Sequence, residues 1–522
     1  MTHPTRIVLI GYGPVGARFV EELLPAVRSG AVQLTVLGAE EHSAYNRVLL
    51  AEYAVGRAER ERLDIADDAA FTDAGVRLRL GETVSTINRT RQTVSLHGTD
   101  ETVAYDRLVL ATGARANIPT LVGMESSRLG IAPSGLDQVA AGLPRGVEVL
   151  RDLRDGDVIR SAVESGERIV VLGAGVLGME LALAAQEQGA RVVVVHHGDG
   201  PMARNLDTDG GRMLARAARA AGVEVVGHSR AESVLLRTAE DGRLTFDALV
   251  CADGKQIEGD LLVLSCGIGA RSELAARAGL AVGRGVLVDD ELRSWTDPDI
   301  FAIGDCAHVA APDESIEAHH VSGAPSGLIG PGWRQADWLA AALAAEATGQ
   351  RRAELLQPER RGTVMLKSEF VHVVSAGKVD ADAWDEHLEV SQWIDRTRGG
   401  YAKIVARDGV LEGFVSVGMP RLGAELTLLF ERGSVIPADP AVLLRLDAVG
   451  ATAESSAAPS PDDTVCWCNG VQAKTISACA SRGVSTVEGV GAETRAGTGC
   501  GGCKGRIAQL IAASPSGATV EV

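Results

Sequence analysis

The chain writes one short unit twice, RIVLIGYGPVG at residues 6–16 and RIVVLGAGVLG at residues 168–178. Each copy is an apolar run closed by Gly-x-Gly-x-x-Gly, which reads as a strand passing through a tight turn into a helix. In such a turn the first glycine (Gly11, Gly173) frees the backbone to leave the strand and the second (Gly13, Gly175) admits a close ligand. The third (Gly16, Gly178) lets the helix lie on the strand. The helix N-terminus then presents unpaired N–H groups and a partial positive charge to an anion, as a dinucleotide pyrophosphate requires. A single copy is compatible with an ordinary glycine-rich turn. Two copies, each followed by a helical pattern and a second strand, restrict the chain to an α/β architecture built on two dinucleotide-binding units.

Further strand ends fall into the same frame. LTVLGAEEH closes the second strand of the first copy at Glu40 and Glu41, and Glu40 is expected to hold a ribose hydroxyl. After the second copy the strand VVVV runs into His196 and His197, so no acid marks that ribose and either NADH or NADPH is allowed. YDRLVLATGA ends a strand at Thr112 and Gly113, and DIFAIGDCA ends one at Gly304 and Asp305, whose carboxylate suits a ribityl hydroxyl.

The order GxGxxG, ATG, GxGxxG, GD resembles the two-dinucleotide flavoproteins related to glutathione reductase. Over roughly residues 6 to 345 this resemblance implies FAD on the first unit and a pyridine nucleotide on an inserted second unit. It also implies that Glu180 lies near the nicotinamide; on its own terms Glu180 is equally a helix N-terminal acid favoured by the dipole. The first cysteine is Cys251, so no thiol pair stands in the N-terminal region where a disulfide reductase of this group needs one. Cys251, Cys266 and Cys306 read as small buried hydrophobes.

Five of the eight cysteines lie between Cys466 and Cys503, beyond a stretch rich in Ala, Ser and Pro that reads as a tether. Cys466 and Cys468 form C-x-C, Cys500 and Cys503 form C-x2-C, and 31 residues separate the pairs, with Cys479 read as a packed thiol. Four thiolates suit zinc or an iron-sulfur centre, and the one-residue gap counts against zinc. The module resembles the bacterioferritin-associated-ferredoxin-like 2Fe-2S domain, which implies that these four cysteines hold a 2Fe-2S cluster.

AYNRVLL (residues 44–50), VVVVHHGDGPMARNLD (residues 192–207) and GLIGPGWRQA (residues 327–336), with the tethered module, resemble a narrower family. This is the diaphorase half of the NADH-dependent nitrite reductase large subunit, together with the electron-transfer subunit of assimilatory nitrate reductase. That resemblance implies Arg47 along the FAD, Trp333 near the isoalloxazine and no catalytic acid or base. Two departures bear on the flavin contacts: Gly267–Ala270 lacks an arginine found in relatives, and Ala51-Glu52 replaces a Ser-Lys pair.

The expected organisation is an FAD domain at 1–118 and 258–345, an NAD(P) domain at 119–257 and a small α/β domain at 346–446. A linker at 447–463 and the 2Fe-2S module at 464–522 complete it. The chain stops without the cysteines a sirohaem and 4Fe-4S centre would need, so terminal reduction is expected on another polypeptide. The expected function is NAD(P)H oxidation with electrons passed through FAD and the cluster to a partner reductase, nitrate reductase before nitrite reductase. A ferredoxin- or rubredoxin-reductase-type donor to an oxygenase and a non-catalytic iron-sulfur or zinc protein are the alternatives. A formal charge of -18 argues against nucleic acid, and no apolar run approaches the roughly 18 residues of a membrane span. No export signal opens the chain, and a cytoplasmic protein is expected; the oligomeric state is left open.

Overall fold

The computed structural model describes residues 3–124, 143–313, 315–350, 356, 362–447, 460–466, 469–498 and 503–513. The first glycine-rich unit is strand β1 (Thr5–Ile10), helix α1 (Pro14–Arg28) and strand β2 (Val32–Gly38). The second is β3 (Arg168–Leu172), α2 (Val176–Glu187) and β4 (Arg191–Val195).

Each unit seeds a five-stranded parallel sheet. In the first, β1 lies between β2 and Arg107–Leu110, with Arg77–Leu80 and Ile300–Ala302 at the edges. In the second, β3 lies between β4 and Leu261–Leu264, with Glu224–Val226 and Val147–Val149 at the edges. Helices cover both faces of such sheets, which is why the strands are nearly continuous apolar runs. Ile7, Val8, Leu9, Ile169, Val170 and Val171 are all buried.

The return of the chain to the first sheet at Ile300–Ala302 makes the second unit an insertion. Its outward boundary differs from the expectation of residue 257. Leu261–Leu264 is a central strand of the second sheet, because its four apolar residues are buried between β3 and Val147–Val149. The chain crosses between units on a two-stranded antiparallel ribbon, Ala114–Ala116 against Ile268–Ala270.

The segment expected as a small α/β domain contains a five-stranded antiparallel sheet in the order Thr363–Leu366, Val373–Gly377, Val410–Val417, Gly400–Arg407, Glu389–Asp395. Helix Pro420–Arg432 packs on it. This sheet shares a core with the second unit, where Tyr401, Val415 and Val417 pack with Leu206, Met213 and Leu214. A polar tie reinforces the join, the Tyr401 hydroxyl and the buried Lys403 ammonium both meeting Asp207, the latter at 3.4 Å.

Among the described residues the cysteine-rich module holds three helices, Ala473–Ser481, Val487–Thr494 and Lys504–Ala513. Its core of Val465, Ile476, Val490, Ile507 and neighbours is self-contained. Residues 448–459 of the expected linker, and Cys468 and Cys500, lie outside the described residues. No helix among the described residues is long and apolar enough to cross a membrane.

Candidate functional site

The carboxyl ends of the first sheet open into a cavity of about 910 Å³. It lies where strand order reverses on either side of β1, the place where open α/β sheets leave a crevice. Gly11, Gly13, Gly16, Glu40, Arg47, Thr112, Gly113, Gly304 and Asp305 all line it, so residues spread over three hundred positions converge on one wall. Glu41 is exposed and absent from that wall.

The glycines divide by what surrounds them. A Cβ on Gly11 (φ +106°) would lie 2.2 Å from the Ala111 carbonyl oxygen, and one on Gly16 would lie 2.4 Å from that of Gly11. The protein's own packing demands these two. A Cβ on Gly13 would meet nothing nearer than Arg47 Nε at 3.9 Å, so its small size leaves room for something else. Gly13 is also the N-cap of α1 and offers no side-chain hydrogen bond to the helix's free N–H groups. Helices Leu153–Glu164 and Thr208–Ala220 are capped by Asp152 and Asp207 in the usual way. The uncapped α1 N-terminus pointing into a cavity is suited to a phosphate.

The side-chain charges agree. Glu40 accepts from the Tyr45 hydroxyl at 2.9 Å and pairs with Arg47, whose guanidinium also donates to the Arg151 carbonyl at 2.9 Å. Arg151 in turn pairs with Asp305 at 2.9 Å. Arg271, also on the wall, is pushed down to about 9 by burial and by the nearby Arg47 and Arg151. Five arginines (47, 115, 151, 271 and 277) and four carboxylates (Glu40, Glu82, Glu273 and Asp305) line this wall, leaving a net positive charge that a dinucleotide pyrophosphate would offset. Only Arg47 among these arginines was expected from the sequence; Arg115, Arg151, Arg271 and Arg277 were missed. Arg271 stands just beyond Gly267–Ala270, where an arginine was found wanting; Arg151 belongs to no motif.

Two expected residues lie outside the cavity wall. Trp333 is buried in α3 (Ile329–Thr348), its Nε1 donating to the Pro14 carbonyl at 3.2 Å beneath the start of α1. Glu180 is buried on α2 and accepts from the Lys367 N–H at 3.0 Å, while Lys367 Nζ reaches the Val48 carbonyl at 2.7 Å. Val48 is part of the wall, so Glu180 touches the cavity at one remove.

The second turn repeats the backbone of the first. A Cβ on Gly173 (φ +113°) would lie 2.2 Å from the Ser265 carbonyl oxygen, one on Gly178 would lie 2.1 Å from that of Gly173, and one on Gly175 would meet nothing within 4 Å. Gly175 likewise caps α2 without a side chain. Where the first unit has Glu40, the second has His196. It is buried, its Nδ1 lacks a well-formed hydrogen bond among the described residues, and burial holds its pKa below the usual histidine value.

Among the described residues no cysteine lines the cavity. Burial raises the thiol pKa values of Cys251, Cys266 and Cys306, that of Cys266 to about 11, so all three favour the protonated form. In the module the opposite holds. The Cys466 thiol is lowered chiefly by a hydrogen bond with Cys503, then by the Gly497 and Asn469 backbone. Cys466 and Cys503, from the two separate pairs, thus meet, and the contact favours thiolate at Cys466. That is the donor chemistry an iron-sulfur cluster or zinc needs. Cys479 is buried within the helical core, as expected of a packed thiol.

The sequence pattern of the family described as "Pyridine nucleotide-disulphide oxidoreductase" matches residues 5–325, and that of the "BFD-like [2Fe-2S] binding domain" matches residues 464–513. The nitrite reductase [NAD(P)H] large subunit of Klebsiella oxytoca is 32% identical over 98% of this chain and 49% of its own length. The assimilatory nitrate reductase electron transfer subunit of Bacillus subtilis (strain 168) is 28% identical over 97% of this chain and 59% of its own. The chain thus spans about half to three-fifths of the length of the curated relatives it matches. Among solved structures, a covalent putidaredoxin reductase–putidaredoxin complex superposes with a TM-score of 0.67 at 22% identity, covering 85% of this chain and 96% of that one. This last likeness is one of fold.

Proposed function

The chain belongs to the pyridine nucleotide-disulphide oxidoreductase family and carries a BFD-like [2Fe-2S] binding domain, and from that premise we propose that it converts electron pairs from NAD(P)H into single electrons for a nitrate- or nitrite-reducing centre. The two domains imply FAD, NAD(P)H and a 2Fe-2S cluster as cofactors. When bound, FAD accepts a hydride's two electrons and releases them singly, and a 2Fe-2S cluster carries one.

In this reading Gly11, Gly13, Gly16, Glu40, Arg47, Thr112, Gly113, Gly304 and Asp305 hold FAD, with Arg151 and Arg271 adding charge. Gly173, Gly175 and Gly178 hold the nicotinamide nucleotide. Cys466, Cys468, Cys500 and Cys503 hold the cluster. Trp333 fixes the carbonyl at the start of α1, and Glu180 positions the wall at Val48 through Lys367. The reaction belongs in the cytoplasm, where reduced nicotinamide is made and thiols stay reduced.

The observation that carries this reading is a contrast. The cavity wall of a family named for disulphide chemistry here holds no cysteine among the described residues, while thiols from both cysteine pairs meet in a separate module. The relatives named for nitrite and nitrate reduction match along at least 95% of the chain, module included, which favours that class of acceptor. The test is an absorption and paramagnetic-resonance titration of anaerobically reconstituted protein with NADH. Flavin bleaching followed by a reduced-cluster signal is expected. Zinc bound in place of iron, with no paramagnetic signal after reduction, would leave a plain flavin dehydrogenase.

A further inference from the structure

The module and the small antiparallel sheet are joined to the rest of the molecule in different ways. The sheet shares an apolar core with the second unit. The module keeps its own core and meets the first unit through polar groups. Arg495 pairs with Glu21 at 2.5 Å and with Glu22 at 3.0 Å, both on α1. The buried Asn46 donates from Nδ2 to the Thr498 carbonyl at 2.9 Å. At the other end of the module Asp463 pairs with Arg432.

These contacts sit between the two redox sites. Asn46 is the neighbour of Arg47, which lines the cavity. On the module's side, Asn469 Nδ2 lies 2.7 Å from the Arg495 carbonyl, 3.4 Å from Thr498 Oγ1 and 3.8 Å from Cys466 Sγ. A run of hydrogen-bonded groups therefore spans the gap from a cluster thiol, through the loop at 495–498, to the cavity wall. Arg495 (φ +63°) takes a backbone conformation unusual for a residue with a side chain, and this turns the loop toward α1.

We infer that Glu21, Glu22 and Asn46 form a seat for the module on the first unit, and that the loop at 495–498 is the face through which electrons enter it. The inference rests on the electron-splitting reading above and names its internal route. The balance is one NADH to one NAD+ and one proton, with two electrons crossing singly to a one-electron acceptor. Arg495, Glu21 and Glu22 are each about one-third exposed or more, so their pairing is screened by salt and easily released. A carrier that must also reach a partner needs that reversibility, which a shared apolar core would deny.

Two arms test it on the full chain. In the first, Arg495→Lys is treated with a zero-length carbodiimide at low salt. A crosslink between position 495 and the α1 peptide is expected and should vanish when Glu21→Gln and Glu22→Gln are added. Its absence overturns the seat. In the second, reconstituted Arg495→Glu is mixed with NADH. Cluster bleaching should slow by about tenfold, with iron content and NADH-dependent dye reduction unchanged, and adding Glu21→Lys and Glu22→Lys should restore it. A wild-type rate in the single variant, or no rescue in the triple one, overturns the route. If the wild-type cluster bleaches with dithionite but never with NADH, the electron-splitting reading falls instead, and the crosslink still decides the seat.

Discussion

Gly11 and Gly173 turn the chain with nearly the same φ, +106° and +113°, and each sits against a carbonyl oxygen at the end of the adjacent parallel strand. From the next strand onward the two units part. β2 delivers Glu40 into a cavity walled by arginines, whereas β4 delivers His196 into a buried place with no acid partner among the described residues. The lesson is that the turn's backbone answers to packing and repeats faithfully. What each unit holds is set by side chains that arrive from distant parts of the chain.

The largest effect expected is common to both units. Gly11→Ala and Gly173→Ala each force a Cβ to within 2.2 Å of a backbone carbonyl oxygen at a positive φ. Each should lower stability by roughly 4 kcal/mol or more, read by denaturant titration of each unit. A tolerated substitution at either position would break the equivalence of the two turns.

Next in size are the middle glycines, which should separate the units. Gly13→Ala and Gly175→Ala meet no protein atom closer than 3.9 Å, so each should change stability by less than about 1 kcal/mol. Gly13→Ala should purify with depleted flavin. Gly175→Ala should keep its flavin and raise the KM for NADH by about tenfold, or about 1.4 kcal/mol. Loss of flavin from the Gly175 variant would mean that the two turns do not serve two ligands.

Much of this was legible locally. The doubled glycine turns, Glu40 at a strand end and the C-x-C and C-x2-C pairs are short-range patterns, readable without knowing which strands or pairs meet. The arginines at 151 and 271 were not legible, because nothing nearby marks them; only the folded sheet brings them to one wall with Arg47. The insertion's outward boundary misled for a related reason. LLVL at 261–264 looks like any buried parallel strand, and pairing, which is non-local, decides which sheet it joins. The ties of Asp207 to Tyr401 and Lys403, and of Asn46 to Thr498, span hundreds of residues and leave no trace in periodicity.

The smallest expected effect belongs to His196 and depends on pH. In the unfolded chain this side chain takes up a proton near pH 6.5. In the folded chain burial first, then the positive charges of His228, His197 and Arg219, hold its pKa lower. Between the two values the unfolded chain binds more protons, so stability rises with pH; it is fully present above about 6.5 and is lost as the pH falls below it. A single group gives a slope of at most about 1.4 kcal/mol per pH unit. His196→Gln should therefore flatten the fall in stability of the second unit below about pH 6.5, by no more than about 1.4 kcal/mol per pH unit. Equal slopes in wild type and the His196 variant would show that the end of β4 is wetter than its burial implies, and with that the electrostatic contrast with Glu40 would shrink.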